Sequence, residues 1–577
     1  MKRTSPGLAI VLAAAAIAAA LVASAEGQGR GPGLRRPFAA APSSTTAPAS
    51  RPRQAALPSP TSISPARAAV VYEGPAAGKP QCEIDKLVFG RLEKLGIEPA
   101  NLCSDAVFIR RAYLDVIGTL PTEQETRDFL ASKAPDKRSA LIDKLLDREE
   151  FASYWAMKWS DLLRVKAEFP VDLWPNAAQA YHRWIRTSIR QNKPYDRFVR
   201  ELLTASGSNF REPAVNFYRA VQGRTPEAIA QAAALTFMGE RADRWPKDRL
   251  AGMAAFFSQI SYKHTLQWKE EIVALDIAKA STQPAAIGGQ GPVYPDGIRA
   301  KVPPGGDPRE VFADWLIDGK NPWFARNIVN RIWYWLLGLG IIHEPDDIRA
   351  DNPPSNPELL AYLEKELVAA NWDLKHVYKL ILNSKTYQLS CIPRSNRPEA
   401  ALSAKNFASY PLRRLDAEVL IDALCQITGT TEKYSSPIPE PFTYIPEGHR
   451  TVDLPDGSIT SSFLVMFGRP ARDTGLESER NNRPTADQRL YMLNSSHVLD
   501  KLERGRKLQP ILRGRGGRDM VTQLYLTILS RYPTDEEMAV AEASIQAGGG
   551  GGLFKARDGA IDLAWALINS AEFLYRH

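Results

Sequence analysis

The chain has 577 residues, 44% of them hydrophobic and 24% charged, so it is long and apolar enough to bury more than one ordinary domain's core. Its formal charge of +8 sits mainly at the start, where eight basic and two acidic residues precede residue 78, leaving +2 on the other 500. A nearly neutral body lacks the dense basic stripe that neutralises phosphates, which excludes nucleic acid as a partner class. The four cysteines form no Cys-x-x-Cys and the seven histidines no His-x-x-x-His, so no metal site, covalent haem or other cofactor is expected.

Lys2 and Arg3 lead into an apolar run from Leu8 to Val22, followed by Ala23-Ser24-Ala25, a small-x-small cleavage site. Residues 1–25 therefore read as an export signal, with a retained membrane anchor as the competing reading. The run is mostly Ala, which is weakly apolar, and no other stretch is long enough to span a bilayer. The expected product is an exported protein, periplasmic or extracellular, without a membrane span. Residues 26–77 are rich in Gly, Pro, Ala, Ser and Thr and bury too little to offset the entropy of ordering, so they read as a disordered linker.

From residue 78 the apolar period is helical almost throughout. Ile84, Leu87, Val88, Leu92 and Leu95 share one face, ended by Gly96. Cys82 and Cys103 bracket this helix, and in an oxidising compartment they are expected to pair as a disulfide. Of the other two cysteines, Cys391 and Cys425, the second falls with Leu420, Ile421 and Leu424 on an apolar face, as a buried thiol would. A cap residue before Pro marks helix starts at Thr225-Pro226, Asp307-Pro308, Asn321-Pro322 and Asn356-Pro357. Asp307 also has Glu310 three residues on, a capping-box spacing.

One β region interrupts: residues 271–276 read as a strand and 293–302 as a hairpin around Pro295-Asp296-Gly297, with a small-residue loop at 280–291. The predicted organisation is mainly α: a bundle-like core in two helical halves, 78–276 and 307–577, joined by a loop and hairpin connector at 277–306. Residues 430–485 are irregular, and Gly548 to Gly552 form a loop.

An internal repeat links the two halves. Tyr113-Leu114, Pro121-Thr122 and Glu125 recur at the same spacing as Tyr525-Leu526, Pro533-Thr534 and Glu537. Each copy runs from an apolar helix into Thr-x-x-Glu, a capping box. A second echo follows each: Leu145-Leu146 to Glu150-Phe151, and Leu567-Ile568 to Glu572-Phe573; Ile381-Leu382 to Tyr387 is a weaker third.

Chemistry-bearing clusters are few. Asn330-Arg331 followed by Asp346, Asp347 and Arg349 place amide, guanidinium and carboxylate groups at a helix end and the next loop, a candidate ligand site. The competing expectation is that the adjacent aspartates diverge and cap a helix. Arg414, Glu418 and Asp422 step by four and read either as a salt-bridged surface stripe or as part of that site. Arg472-Asp473 and Glu477 to Arg480 form a charged loop cluster. Of the twelve Trp, those at 155, 159, 333 and 335 read as core, with a sugar-stacking platform as the alternative. No nucleophile elbow or phosphate loop occurs.

Longer motifs carry a resemblance. Leu102 to Thr122, Tyr154 to Arg164 and Leu203 to Arg211, then Asp307 to Leu316, Asn330 to Trp333, Pro345 to Arg349, Asn352 to Leu360 and Arg413 to Glu418 resemble the paired PSCyt and PSD domains of unknown function in exported planctomycete proteins. Relatives of this type often add a cytochrome c domain, whose Cys-x-x-Cys-His is missing here, and often read Pro-Ser-His-Pro where this chain has Asn356. The resemblance implies no activity, substrate or catalytic residue. Two readings stand. One is a binding or assembly component of an envelope complex, partnered with a cytochrome or a polymer-processing enzyme. The other is a hydrolase acting on extracytoplasmic polysaccharide through carboxylates of the second half.

Overall fold

The computed structural model describes residues 71–282, 285–394, 400–512, 517–548 and 553–577. The expected export signal, the linker up to residue 70 and most of the five-glycine loop lie outside the described residues. The last part of the expected linker is ordered: Gly74 donates to the Leu102 carbonyl at 2.7 Å, Leu102 to Pro75 at 2.9 Å, and Tyr72 to Glu572 at 3.0 Å.

Helices dominate, in the order the apolar period gives. The first group is α1 (Glu83–Lys94), α2 (Asp105–Val116), α3 (Glu123–Ala131), α4 (Lys137–Leu146), α5 (Glu149–Leu162), α6 (Pro175–Arg190), α7 (Tyr195–Thr204), α8 (Pro226–Ala233) and α9 (Lys247–Ala254). The second is α10 (Pro308–Ile317), α11 (Phe324–Leu337), α12 (Pro357–Ala369), α13 (Leu374–Asn383), α14 (Ala417–Thr428), α15 (Ala486–Asn494) and α16 (Ser496–Arg504), closed by α17 (Gly517–Leu529), α18 (Asp535–Gly548) and α19 (Leu553–Ile568). Predicted caps hold in three of four places. The side chains of Thr225, Asp307 and Asn356 accept the N–H of Ala228, Arg309 and Leu359. Asn321 instead sits ahead of its helix and accepts from the N–H groups of Trp323 and Phe324, so α11 begins after the proline. Asp307 forms no box with Glu310; its carboxylate takes the Arg309 guanidinium at 2.7 Å.

The strand at 271–276 is present as β3 (Glu271–Leu275), between β1 (Gly207–Ser208) and β2 (Ile260–His264) in an antiparallel sheet. The expected hairpin at 293–302 shrinks to one bridge, Val293 with Arg299, around the Pro-Asp-Gly turn. Its ladder fails because Pro292 and Pro295 have no N–H to give and the Val293 N–H goes to Gly252 at 3.0 Å. A two-stranded sheet pairs β4 (Arg413–Arg414) with β5 (Tyr575–Arg576).

Buried apolar side chains form one continuous cluster from Ala77 to Phe573, so the two helical halves share a core. Trp155, Trp159, Trp333 and Trp335 lie in it, as expected. The indole of Trp335 on α11 meets those of Trp155 at 5.3 Å and Trp159 at 6.1 Å on α5, stitching one half to the other.

The expected Cys82–Cys103 disulfide does not form; both cysteines are free thiols. Cys82 heads α1 with its sulfur 3.4 Å from the Asp85 carboxylate. Cys103 is buried, its backbone held by a bridge to Glu73 and by a 2.8 Å bond to Gln388. Cys425 is only half-buried, with the Lys501 ammonium 3.5 Å from its sulfur.

Both copies of the repeat fold as helix, Pro-Thr turn, helix, with matching caps. Glu125 N–H donates to Thr122 Oγ1 at 3.2 Å and Thr122 N–H to Glu125 at 2.9 Å; Thr534 and Glu537 give the same two distances. In each copy one guanidinium joins the capping Glu to the Glu of the downstream echo. Arg148 reaches Glu125 at 2.9 Å and Glu150 at 2.5 Å, and Arg531 reaches Glu537 and Glu572 each at 2.6 Å. The two arginines come from different points of the repeat, so the same ionic staple is built by different residues.

Candidate functional site: a cleft lined by arginine and tryptophan

The site begins with α11. Its Asn330 is buried and clasps the backbone of Ile342, accepting the N–H at 2.8 Å and donating to the carbonyl at 2.9 Å. Next to it, Arg331 pairs with Asp346 at 2.9 Å, both groups almost fully buried. These two residues fix the loop between α11 and α12. Gly340 is required in it, since a Cβ there would lie 2.2 Å from the Ile342 carbonyl oxygen. The loop and α11 also dock on the first half of the chain: Ile348 N–H donates to the Gly239 carbonyl at 2.9 Å, and Asn327 on α11 to the Thr236 carbonyl at 2.9 Å. Gly239 takes φ +68°, and a Cβ there would sit 2.8 Å from Ile348 Cδ1.

Outside that seam lies a cleft of about 790 Å³. One wall is the segment from Glu240 to Arg249; the other is Trp323, which heads α11, with Arg326 of α11 and Glu364 of α12, and the loop from Asp347 to Pro354 lies between them. Five arginines line it (241, 244, 249, 326 and 349) with three carboxylates (Glu240, Asp347 and Glu364) and two tryptophans (245 and 323). Glu240 organises the aromatic end. Its carboxylate accepts the indole N–H of Trp245 at 2.8 Å and of Trp323 at 2.5 Å, and pairs with Arg249 at 3.3 Å. The Arg249 guanidinium lies 3.7 Å over the Trp245 ring. Arg326 pairs with Glu364 at 2.8 Å, and Asp347 is shared by Arg349 at 3.0 Å and Arg244 at 3.8 Å. A second cavity, about 40 Å³ between Phe151, Trp155, Tyr195 and Tyr378, is mainly apolar and too small for a ligand of any size.

The candidate residues thus divide three ways. Asp347 and Arg349 line the cleft. Asn330, Arg331 and Asp346 stand behind it and hold its loop. Neither aspartate caps a helix: Asp346 turns inward to Arg331 and accepts the Glu477 N–H at 2.6 Å, while Asp347 faces out. Arg414 and Glu418 belong elsewhere. With Asp422 they are buried, not a surface stripe, because β4 and α14 run through the core. Arg414 bonds Gln488 and the Phe467 carbonyl. Glu418 pairs with Arg480 at 2.7 Å and Arg469 at 3.5 Å, and Asp422 accepts the N–H groups of Thr451 and Val452.

Around Glu418 runs a buried ionic lattice. Asp416 meets Lys158 at 3.1 Å and Arg576 at 3.0 Å; Asp161 meets Arg472 at 2.9 Å and Arg480 at 2.7 Å. Burial works to raise the Asp416 carboxyl, but Lys158, Arg576 and Arg480 outweigh it and hold it well below its usual range. Glu477, its side chain 10% exposed, is pushed up by desolvation despite Lys158 and Arg331 nearby. The expected charged loop at 472–480 is one side of this lattice. Its partners sit on α5 and α14, so its role is cohesion.

Cleft residues 240–249, 323, 326 and 364 were not singled out in the sequence. The signal was the run Glu240-Arg241 to Arg244-Trp245 to Arg249, a dense charged segment carrying an aromatic. Asn356 caps α12 and donates to the Leu87 carbonyl at 3.0 Å, so the residue standing in place of histidine is structural.

A predominantly helical protein with a charged, tryptophan-bearing cleft where its two halves meet is the class this geometry defines. Residues 83–245 match PSCyt2, a protein of unknown function (DUF1549), and residues 308–545 match PSD1, a protein of unknown function (DUF1553). The chain is a paired PSCyt2–PSD1 protein, and the cleft lies where the first matched segment ends and the second begins. No curated protein and no solved structure gives a significant match.

Proposed function

We propose that the protein is an extracytoplasmic binding protein that holds a sugar polymer in the cleft between its two family segments. The observation that carries this reading is the pair Trp245 and Trp323, both fixed by the single carboxylate of Glu240 at the cleft wall. Indole faces stack on the C–H faces of sugar rings, and the planar guanidinium and carboxylate groups beside them suit paired hydroxyls. No helix among the described residues is long and apolar enough to cross a membrane. A polymer-processing enzyme is the partner this reading calls for; the cleft adds nothing in favour of a cytochrome.

The hydrolase reading, through carboxylates of the second half, rests in this cleft on Asp347 and Glu364, but each is already engaged by a guanidinium. Screening the full chain on an oligosaccharide array tests the proposal. Binding is expected, and the double variant Trp245→Ala, Trp323→Ala should lower it about tenfold or more, the loss typical of removing aromatic anchors. An array without binding overturns the reading, and release of reducing ends on incubation replaces binding by hydrolysis.

A further inference from the structure

Resting on that reading, we infer that the polymer is uncharged: the cleft selects a neutral sugar chain over acidic and basic ones. Every arginine of the lining meets a carboxylate. Arg249 pairs with Glu240 at 3.3 Å, Arg326 with Glu364 at 2.8 Å and Arg349 with Asp347 at 3.0 Å. Arg244 shares Asp347 at 3.8 Å, while Asp351 gives Arg349 a second carboxylate at 3.3 Å and Glu344 meets Arg241 at 3.5 Å. Five guanidiniums thus face five carboxylates, and the paired set carries no net charge. Leftover hydrogen-bonding capacity is divided as evenly: the Arg241 Nε lacks an acceptor and the Asp347 Oδ1 a donor. An anionic group brought to any of these guanidiniums also meets the carboxylate beside it, and a cationic group brought to a carboxylate meets its guanidinium. Attraction and repulsion then largely cancel, while the cost of stripping water from the ligand's charge remains. A hydroxyl carries no such cost. It donates and accepts at once, so neighbouring hydroxyls match a guanidinium and a carboxylate lying side by side.

The test is calorimetric titration of the full chain with oligomers of equal length in two matched pairs, galacturonate with its methyl ester and protonated glucosamine with N-acetylglucosamine, beside a cello-oligosaccharide. In each pair the neutral member is expected to bind about tenfold or more tighter than the charged one. Affinity for the neutral oligomers should not change as salt rises from about 0.05 to 0.5 M. A double variant at the rim then tests the cause. Glu344 and Asp351 lie outside the lining, with side chains 51% and 74% exposed, so Glu344→Gln with Asp351→Asn should leave the fold unaltered by circular dichroism. With two carboxylates gone, galacturonate should gain on its ester by about tenfold. Tighter binding of the charged member of either pair, equal affinities within a pair, or an acid-to-ester ratio that the double variant does not move overturns the inference while leaving sugar binding intact. If none of the five binds, the proposed function falls as well.

Discussion

Thr122 and Thr534 show what a capping box does in this chain. Each satisfies an N–H at the start of its helix while the Glu three residues on returns the bond, and each Glu is then clamped by an arginine. Replacing either Thr by Ala should cost about 1 kcal/mol in urea denaturation, the usual loss of a cap, with ligand binding unchanged. A loss of binding with stability intact would instead make the motif part of a site. Titration of buried groups gives a second prediction. Burial pushes the His182 imidazole from 6.5 down to about 3 and that of His577 from 6.5 to about 4. Between those values and 6.5 the unfolded chain takes up protons that the folded one refuses. Stability should therefore fall as pH drops from about 7 to 4, by at most about 1.4 kcal/mol per unit for each histidine. Glu572 adds to the loss at lower pH. Burial works to raise its carboxyl and the Arg531 charge overrides it, holding it at about 2 against 4.5, so the stability it contributes disappears below about 4.5. Urea midpoints at several pH values read the slope, and His182→Gln should flatten it above pH 4; an unchanged slope would refute the assignment.

At the level of elements, the loop from α11 to α12 sets the shape of the cleft, and one amide holds it. Asn330→Leu leaves the buried N–H and carbonyl of Ile342 without partners. It should cost about 1–3 kcal/mol for each group left unpaired and should weaken sugar binding more than it lowers stability elsewhere. Hydrogen exchange confined to residues 341–349 would check it, and unchanged exchange there would exclude the staple. The same loop shows what the sequence reveals. Helices with long apolar periods and local caps, such as those begun by Thr225 and Asn356, are legible because their signals are contained within a few residues. The hairpin at 293–302 was misread because its Val293 N–H is claimed by Gly252, a tertiary competitor no local pattern displays. Arg414, Glu418 and Asp422 looked like a surface stripe because charges four apart usually are one; here their partners come from residues 451–488. Of the site, only Asp347 and Arg349 were legible as lining. Arg241, Arg244, Trp245 and Trp323 reach the same cleft only because Gly239 lets one half pack against the loop of the other.

For the whole molecule, the two halves are bound by buried charge as well as by apolar contact. Asp115 on α2 takes the hydroxyls of Tyr387 and Tyr410 and pairs with Arg413 and Arg576. Asp161 on α5 holds Arg472 and Arg480. A fragment containing residues 78–276 alone would keep Asp115 and Asp161 but lose all these cations, and the complementary fragment would keep uncompensated arginines. Removing one partner of a buried ion pair costs about 3–5 kcal/mol, so neither fragment should fold alone. The intact chain should melt in one calorimetric transition, and two separable transitions would contradict the shared core.

The clasp on α2 also bears on the order in which the protein can be made. Arg110 donates to the carbonyls of Ile528 and Phe573, and Arg111 to that of His577, partners 418, 463 and 466 residues further along. A ribosome delivers α2 early and these acceptors hundreds of residues later. Throughout that interval two guanidiniums destined for the interior have nowhere buried to go, and α2 is better left in water than packed. The geometry thus delays completion of the core until the acceptors at Ile528, Phe573 and His577 have been made, and the growing chain stays loose until then.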